Sequence, residues 1–338
     1  MRKNLAAILF AVTIGGLLAF GSLVADAAAP VATNGYRVSP VRTDLTIKPG
    51  ASSSITVYIQ NASSAVENLQ VVVNDFQPPK DESGDPALLL NGATAPQHSL
   101  KQFIKVATPT FTLQPGQQEP VSVSINVPAG TPGGGYYGAI RFAPVGASGS
   151  KNVNLSASVA SLVLLTVPGN LSEKVSIAGF GVAQGDDSTS LRSLFLNNKN
   201  LKAVVRFQNG GNVQEQPFGK IQLKKGSKVL ATYNVNNSDS PGNVLPGSIR
   251  RFTINLSHIG SFGKYKIVGN FGYGSKGELL TASATFWVIP LVVIIIAVIL
   301  LLLILFLIFG LPRMIRRYNR RVIAKANRAN RNNYQQRR

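Results

Sequence analysis

The feature that most constrains this chain is an uncharged apolar run near its C-terminus. No charged residue lies between Glu278 and Arg313, and Phe286 to Phe309 is apolar throughout apart from one proline. As a helix these 24 residues would span ~36 Å at ~1.5 Å per residue, which exceeds the ~30 Å hydrocarbon core of a bilayer. A buried core helix is the alternative, but such a helix is rarely uncharged over this length. The run therefore predicts a transmembrane helix over residues 286–311.

Both ends of this run carry residues that are typical of interfacial anchors. Trp287 lies at one end, and Arg313, Arg316 and Arg317 lie at the other. Trp and basic residues are enriched where a membrane span meets water. We therefore expect these four residues to lie at the two membrane interfaces.

The tail at residues 312–338 carries half of the formal net charge of +20, with ten basic residues and no acidic one. The positive-inside rule places such a tail in the cytoplasm of a cell-membrane protein and the residues before the helix outside. Apolar residues recur at helical spacing between its basic residues, so Arg320, Arg321 and Lys325 are expected to face anionic lipid. Contact with nucleic acid is the less favoured alternative.

The N-terminus carries a second apolar stretch, Leu5 to Val24, behind Arg2 and Lys3. An A-x-A site that ends at Ala27 follows it. A basic start, an apolar centre and small residues at the exit are typical of a signal peptide. We predict a signal peptide over residues 1–27 with cleavage after Ala27, and an uncleaved anchor is the alternative.

Composition excludes most catalytic and metal chemistry. The chain contains no Cys and two His, so disulfides, Cys-ligated metals and thiol catalysis are excluded, and few His sites can be built. The acidic stretch Asp81–Asp85 lacks the register of a calcium loop and is interpreted as a solvated loop. The sequence predicts neither a metal, nor a cofactor, nor an enzymatic activity.

The part between the two apolar stretches has the alternation of β-strands. Ser54–Ile59 and Pro120–Val127 alternate polar and apolar residues with a period of two, and Pro-Gly turns recur between such runs. A turn at Val167–Gly169 separates two portions of domain size. We predict an all-β ectodomain of two tandem Ig-like β-sandwiches, over residues 36–168 and 171–285.

One pattern occurs three times. In each case a Pro-Gly turn is followed by apolar residues at offsets of five, seven and nine from the glycine, which is Gly50, Gly116 or Gly247. Identical offsets favour a set of homologous hairpins, in which glycine supplies a positive φ. Chance matches within an all-β chain are the alternative.

The order of motifs in residues 36–168 resembles a known family. A Pro49-Gly50 turn leads to a strand that ends at Asn61-Ala62-Ser63, a Pro115-Gly116 turn leads to Ile125-Asn126-Val127-Pro128, and Gly135 to Phe142 reads GYYGAIRF. This order is similar to the N-terminal, peptidoglycan-binding domain of the WxL-interacting cell-surface proteins of bacteria. Members of that family also carry a second Ig-like domain, a transmembrane helix and a short basic tail.

The resemblance implies a wall-associated surface protein. Its first domain would contact peptidoglycan or another anionic wall polymer, and its second would contact a surface protein partner. Residues 171–285 match the family less well, and no W-x-L triplet occurs. The oligomeric state and the identity of any partner stay open.

Tyr136, Tyr137 and Arg141 are the candidate ligand-binding residues. In a strand, Tyr137 and Arg141 share one face, while Tyr136 shares the other with Ile140 and Phe142. Aromatic rings stack on sugars, and Arg pairs with the carboxylates of peptide stems. Packing of the rings together with a surface Arg is the alternative use of the three.

The sequence thus predicts a non-catalytic, membrane-anchored surface protein that binds peptidoglycan, protein partners, or both through Ig-like domains. The alternative is a structural, assembly or chaperone-like module that pairs its β-edges with partner proteins at the cell envelope.

Overall fold

A computed structural model describes residues 35–90, 98–145 and 158–335 of the chain, with side chains described as far as residue 327. The predicted signal peptide, with its cleavage site at Ala27, lies outside the described residues. The described chain is mostly β and ends in one long apolar helix, as the sequence predicts.

The N-terminal unit packs two sheets against each other. Its strands are β1 (Tyr36–Ser39), β2 (Arg42–Thr46), β3 (Ser52–Asn61), β4 (Glu67–Gln77), β5 (Ala87–Leu89), β6 (Ile104–Val106), β7 (Thr110–Leu113), β8 (Gln118–Asn126), β9 (Gly134–Pro144) and β10 (Val159–Val167). Sheet A has the order β1-β3-β8-β6, and sheet B has the order β2-β10-β9-β4-β5 with β7 beside β4. The inward faces of both sheets bury one apolar core, since side chains alternate across each strand.

The C-terminal unit repeats this arrangement. Its strands are β11 (Val175–Gln184), β12 (Asp187–Arg192), β13 (Leu194–Phe195), β14 (Leu201–Asn209), β15 (Phe218–Lys225), β16 (Lys228–Val235), β17 (Ile249–Asn255), β18 (Gly263–Tyr273) and β19 (Glu278–Val288). Sheet C has the order β12-β11-β14-β17, and sheet D has the order β13-β19-β18-β15-β16. A second apolar core lies between them, and the two units meet between Val167 and Val175.

The repeated Pro-Gly pattern marks equivalent positions in the two units. Gly50, Gly116 and Gly247 have φ values of 80°, 75° and 69°, a region that glycine enters without steric cost. Gly116 donates its N–H to the carbonyl of Asn61 at 2.8 Å, and Gly247 donates to the carbonyl of Asn209 at 2.9 Å. The last two turns therefore occupy equivalent positions, each next to a strand that ends in asparagine. They do not close hairpins, as the pattern predicted, because each turn joins strands of two different sheets, β7 to β8 and β16 to β17.

The buried side chain of Asn209 shows why an asparagine ends that strand. Its Nδ2 donates to the carbonyls of Val213 at 2.7 Å and Val244 at 2.8 Å, while its Oδ1 accepts from the N–H of Gly211 at 2.8 Å. Asn61 plays the same part in the N-terminal unit. One amide thus pairs three backbone groups, from two segments, that would otherwise be buried without a partner.

The C-terminal helix begins almost directly after sheet D. Strand β19 continues to Val288, three residues into the segment that was predicted as helical, because Phe286 to Val288 pair with β18. Helix α1 (Leu291–Leu305) follows, then a π-helical turn (Phe306–Gly310) and helix α2 (Leu311–Gln335). The continuous helical stretch is long and apolar enough to cross a membrane.

Replacing the buried amide of the C-terminal unit tests its structural role. Asn209→Ala removes three hydrogen bonds and leaves backbone groups buried without partners, so we expect the free energy of unfolding to fall by about 2–4 kcal/mol. Chemical denaturation of the full chain in detergent measures this change. Asn234→Ala, at an exposed strand position, is the matched control, and equal losses in the two variants would contradict the role.

Candidate functional site: the cleft between the two β units

A cavity of about 210 Å³ opens between the two β units. Strands β4 and β10 supply one wall, and β17 with the loop before it supplies the other. The first wall is largely apolar because Phe76, Leu162 and Leu164 project from the outer face of sheet B. Leu245 of the second unit packs against that face. The outer face of a sheet is usually solvated and polar, so an apolar patch there indicates a surface that is built to be covered.

A guanidinium without a carboxylate partner faces this apolar wall. Arg250 of β17 lies between two glycines: a Cβ on Gly84 would come within 2.1 Å of its Nε, and a Cβ on Gly242 within 2.6 Å of its Cζ. Its Nη1 donates to the carbonyl of Asn243 at 2.9 Å, and no ion pair among the described residues involves it. Its Nε and the Oδ1 of Asn243 are buried without a hydrogen-bond partner in the described part of the chain.

The electrostatics of the cavity favour an anion. Burial lowers the pKa of the Arg250 guanidinium, the charge of Asp85 raises it, and the positive charge of Arg42 lowers it. Arg42 lines the same cavity and donates from Nη1 to the carbonyl of Pro241 at 2.8 Å. The Nε of Arg42 already donates to Oδ2 of Asp44 at 2.9 Å. Arg250 is therefore the guanidinium that is available to a ligand, and a cation beside an apolar wall matches a peptide segment that carries a carboxylate.

Arg42 also separates this cavity from a second, polar chamber of about 830 Å³. Glu173 and Glu215 lie in that chamber. Burial, together with the charge of Glu173, raises the pKa of Glu215 from its ordinary 4.5 to about 7, against the hydrogen bond that it accepts from the N–H of Gly274 at 3.1 Å. The cleft thus has two parts: an apolar cavity lined by Arg42 and Arg250, and a polar chamber lined by Glu173 and Glu215.

One loop of the N-terminal unit fixes the geometry of the cleft. The carbonyl of Glu82 accepts a hydrogen bond from the N–H of Arg251 at 2.9 Å. Its carboxylate accepts two hydrogen bonds from Arg206, one of them from Nε at 2.8 Å, and it lies 3.8 Å from Nη1 of Arg251. The Asp81–Asp85 loop, predicted to be solvated, therefore docks on sheet C instead. The two arginines that this loop contacts, Arg206 and Arg251, lie 124 or more positions away along the chain. No local sequence signal reveals such a contact.

An open sheet edge borders the cleft. Strand β2 lines both chambers through Arg42 and has β10 as its one strand neighbour among the described residues. The N–H of Ile47, just after β2, donates to the backbone carbonyl of Thr166 on β10 at 3.2 Å. Since backbone groups alternate along a strand, those of Arg42, Asp44 and Thr46 point away from β10. They form an unpaired edge beside the cavity.

The structure places the predicted ligand-binding residues in other roles. The ring of Tyr136 is buried in the core against Phe103, with centroids 5.4 Å apart. Tyr137 is buried on the opposite face, where its hydroxyl donates to Oε1 of Gln214 in the second unit at 3.0 Å. Arg141 donates from Nε to Oδ1 of Asn74 at 3.1 Å. Neither ring lies open to a sugar, and Tyr137 helps to join the two units.

No protein-family model matches the chain, and no curated protein matches it in sequence. Solved structures similar to it include a chaperone–tip adhesin complex of CFA/I fimbriae, which is 12% identical with a TM-score of 0.36 over 75% of this chain and 98% of that one. The class 5 fimbriae chaperone CfaA is 14% identical, with a TM-score of 0.35 over 76% and 100% of the two chains. The E. coli chaperone DraB is 14% identical, with a TM-score of 0.34 over 75% and 96%.

At these identities and TM-scores the similarity concerns the fold, and nothing about the function of this chain follows from it. The prediction that the protein binds peptidoglycan is wrong, because the two rings that were to stack on sugars, Tyr136 and Tyr137, are buried. The alternative prediction, a module that pairs a β-edge with a protein partner, agrees with the open edge of β2.

Breaking the contact between Glu82 and its arginines tests how the cleft is held. Hydrogen bonds from Arg206 lower the pKa of the Glu82 carboxylate. The contact therefore stabilises the folded state fully above the ordinary carboxylate pKa of 4.5, and this stabilisation is lost as the pH falls through the lowered pKa. For this partly buried pair, Glu82→Gln should reduce the free energy of unfolding by about 1–2 kcal/mol at neutral pH and by less in acid. Chemical denaturation at several pH values measures the loss of unfolding free energy at neutral pH and in acid. Glu278→Gln is the exposed control, and a pH-independent loss in Glu82→Gln would contradict this account.

The acidic chamber predicts a second pH dependence, of opposite sign. Because the folded pKa of Glu215 is raised from 4.5 to about 7, its folded state binds more protons than the unfolded state between these values. The free energy of unfolding therefore falls by about 3–4 kcal/mol as the pH rises through this window, at ~1.4 kcal/mol per pKa unit. Glu215→Gln should flatten the profile and be more stable than the natural chain at pH 8, as thermal denaturation would show. The prediction would be contradicted if the stability of the variant and that of the natural chain changed with pH in the same way.

Proposed function

We propose that this protein is a non-catalytic module of the cell envelope that is anchored by its single C-terminal helix. Its two β units are tandem Ig-like sandwiches that lie outside the cell membrane, and its basic tail lies in the cytoplasm. The length and apolar character of α1 support the anchor. The ten basic residues after it support the orientation, because basic segments are retained inside.

The cleft would bind an extended segment of a protein partner. The observation that carries this proposal is Arg250, a half-buried cation with a buried, unpartnered Nε and no carboxylate partner among the described residues, placed beside an apolar wall. A buried polar atom without a partner costs free energy, so its retention is expected where a ligand supplies the missing partner. The ligand group that fits is a carboxylate, from an acidic side chain or from a chain end.

The open edge of β2 would hold the backbone of the same segment. A bound strand would pair with the outward backbone groups of Arg42, Asp44 and Thr46, while its apolar side chains contact the half-buried Leu162. Main-chain hydrogen bonds would provide affinity for any extended segment. The cavity would select a segment in which a carboxylate lies next to apolar side chains. Membership in the WxL-interacting family stays a prediction from the motifs in residues 36–168.

Short synthetic peptides test this function directly. The peptides alternate Val and Thr, are amidated at the C-terminus, and end in Asp, or in Asn as the uncharged match. Their binding to the full chain in detergent is measured by fluorescence polarisation. The Asp peptide should bind more tightly than the Asn peptide by about tenfold, the usual worth of a charge-assisted hydrogen bond. Arg250→Gln should abolish this difference, whereas Arg192→Gln, at an exposed distant site, should preserve it.

A pair of variants at one position tests the strand edge. Asp44→Pro removes an outward N–H without touching the bonds between β2 and β10, whereas Asp44→Ala keeps that N–H and removes only the side chain. We expect peptide binding to be lost in the first variant and kept in the second. Equal binding by both variants would exclude β2 as the pairing edge, and equal binding of the two peptides would exclude Arg250 as the carboxylate site.

A further inference from the structure

The membrane-proximal end of the C-terminal unit combines exposed apolar and basic side chains. Strand β19 runs into α1, so the end of sheet D at Val288 faces the start of the helix. Four large apolar side chains are exposed at this end: Leu194 (51%), Leu196 (47%), Phe262 (53%) and Trp287 (42%). Five exposed lysines surround them: Lys199, Lys225, Lys228, Lys264 and Lys266. We call these nine residues the juxtamembrane face.

Strand register brings these residues together. Leu194 pairs with Trp287, and Lys264 pairs with Trp287 from the other side, with its Nζ 5.6 Å from the centre of the indole ring. Lys225 and Lys228 lie on either side of the turn between β15 and β16. The same lysine, Lys225, reaches Tyr265 on β18, with Nζ 5.3 Å from the ring centre.

Two loops complete the face. Leu196 and Lys199 lie in the loop after β13, and Phe262 ends the loop before β18. The two loops are joined where Nδ2 of Asn198 donates to the carbonyl of Ile259 at 2.7 Å. The face therefore belongs to connected loops and strand ends rather than to scattered surface positions.

The connection to the helix is too short to let this face leave the bilayer. The N–H of Ile289 still donates to the carbonyl of Phe195 at 2.8 Å, and α1 begins at Leu291. Only Pro290 lies between the last sheet bond and the helix, which gives a reach of about 7 Å between the flanking Cα atoms. If α1 crosses the membrane, the loops around Phe262 lie at the depth of the headgroups.

Charge is distributed along the C-terminal unit in the way that such contact requires. Acidic residues lie mostly at the far end, where Glu173 and Glu215 line the polar chamber of the cleft. The acidic residues near the juxtamembrane face are engaged: Asp186 lies 3.7 Å from Lys202, and Asp187 accepts from the N–H of Thr189 at 2.9 Å. The five lysines of the face thus meet little competing negative charge.

We propose that the juxtamembrane face docks on anionic phospholipid, with Phe262 and Leu196 inserted among the headgroups and the lysines paired with lipid phosphates. This inference rests on the proposed membrane anchor. Apolar side chains ringed by lysine are the composition of interfacial membrane-binding surfaces. Docking would hold the C-terminal unit at a fixed angle to the bilayer and keep the cleft, at its other end, turned away from the membrane.

The absence of Cys from the natural chain allows this to be tested with single labels. The full chain is reconstituted into vesicles of phosphatidylcholine, with or without phosphatidylglycerol. A nitrobenzoxadiazole label is attached at Ser261→Cys, beside Phe262, or at Ser238→Cys, the matched control near the cleft. Quenching by lipids that carry a doxyl group near the headgroup then reports which site touches the bilayer.

We expect quenching at position 261 in vesicles with phosphatidylglycerol and none at position 238. The double variant Lys199→Glu/Lys228→Glu should lower the docked-to-undocked ratio by about 30-fold or more, as expected for ~1 kcal/mol per lysine. The control Lys174→Glu/Lys276→Glu, with the same charge change at the far end, should leave the quenching unchanged. Equal quenching at the two labelled sites, or equal effects of the two double variants, would overturn the docking proposal.

Alkaline carbonate extraction separates this failure from failure of the anchor. A chain that stays with the vesicles after extraction but shows no quenching at position 261 is anchored and undocked, which rejects the docking alone. A chain that is extracted has no membrane span, which rejects the proposed anchor and the docking together. Quenching that is equal with and without phosphatidylglycerol rejects the role of anionic lipid.

Discussion

The contact of Glu82 with sheet C is the interaction on which the rest of the site depends. A single residue bonds twice: its carbonyl pairs with the backbone of β17, and its carboxylate pairs with Arg206 and Arg251. Two β units joined by a short connection can change their angle unless contacts fix it, and Glu82 adds its bonds to those of Tyr137 with Gln214 and Arg42 with Pro241. Once Glu82 is bound, the outer face of sheet B and the loop before β17 are held close enough to form a cavity between them.

The same contact explains the unusual state of Arg250. Three arginines lie on β14 and β17, and Glu82 pairs with two of them, Arg206 and Arg251. Arg250, which neighbours Arg251 in the chain and is enclosed by Gly84 and Gly242, is left without a carboxylate among the described residues. An unpaired positive charge thus lies beside the apolar wall of the cavity, and this combination is the basis of the proposed binding role.

The opposite end of the C-terminal unit carries the juxtamembrane face. Strand β19 joins Glu278, near the acidic chamber, to Val288, just before helix α1, so one strand connects the two ends of the unit. Lysines are concentrated near Val288 and carboxylates near Glu278. In the proposed orientation, with α1 directly after the sheet, the unit would present the cleft at a set distance from the bilayer.

Local signals in the sequence predicted the elements but not the site. Period-two alternation in β3 and β8 and the uncharged run after Glu278 depend on neighbouring residues, so strands and helix were predictable. Phe286 to Val288 were assigned to the helix because an apolar strand and an apolar helix have the same hydropathy. The cleft depends on contacts between residues far apart in the chain, such as Glu82 with Arg206. No periodicity encodes them, and Tyr137 was predicted as a ligand residue because its place between the units is equally non-local.

Hydrogen exchange of the full chain with the acidic peptide bound tests the central claim most directly. The account predicts that the outward amides of Asp44 and Thr46 gain protection, while those of β6, a distant sheet edge, do not. It also predicts that the Arg250→Gln variant loses this protection although its other amides exchange as before. Protection that appears elsewhere, or that persists in Arg250→Gln, would contradict a partner strand that is held on β2 by the guanidinium of Arg250.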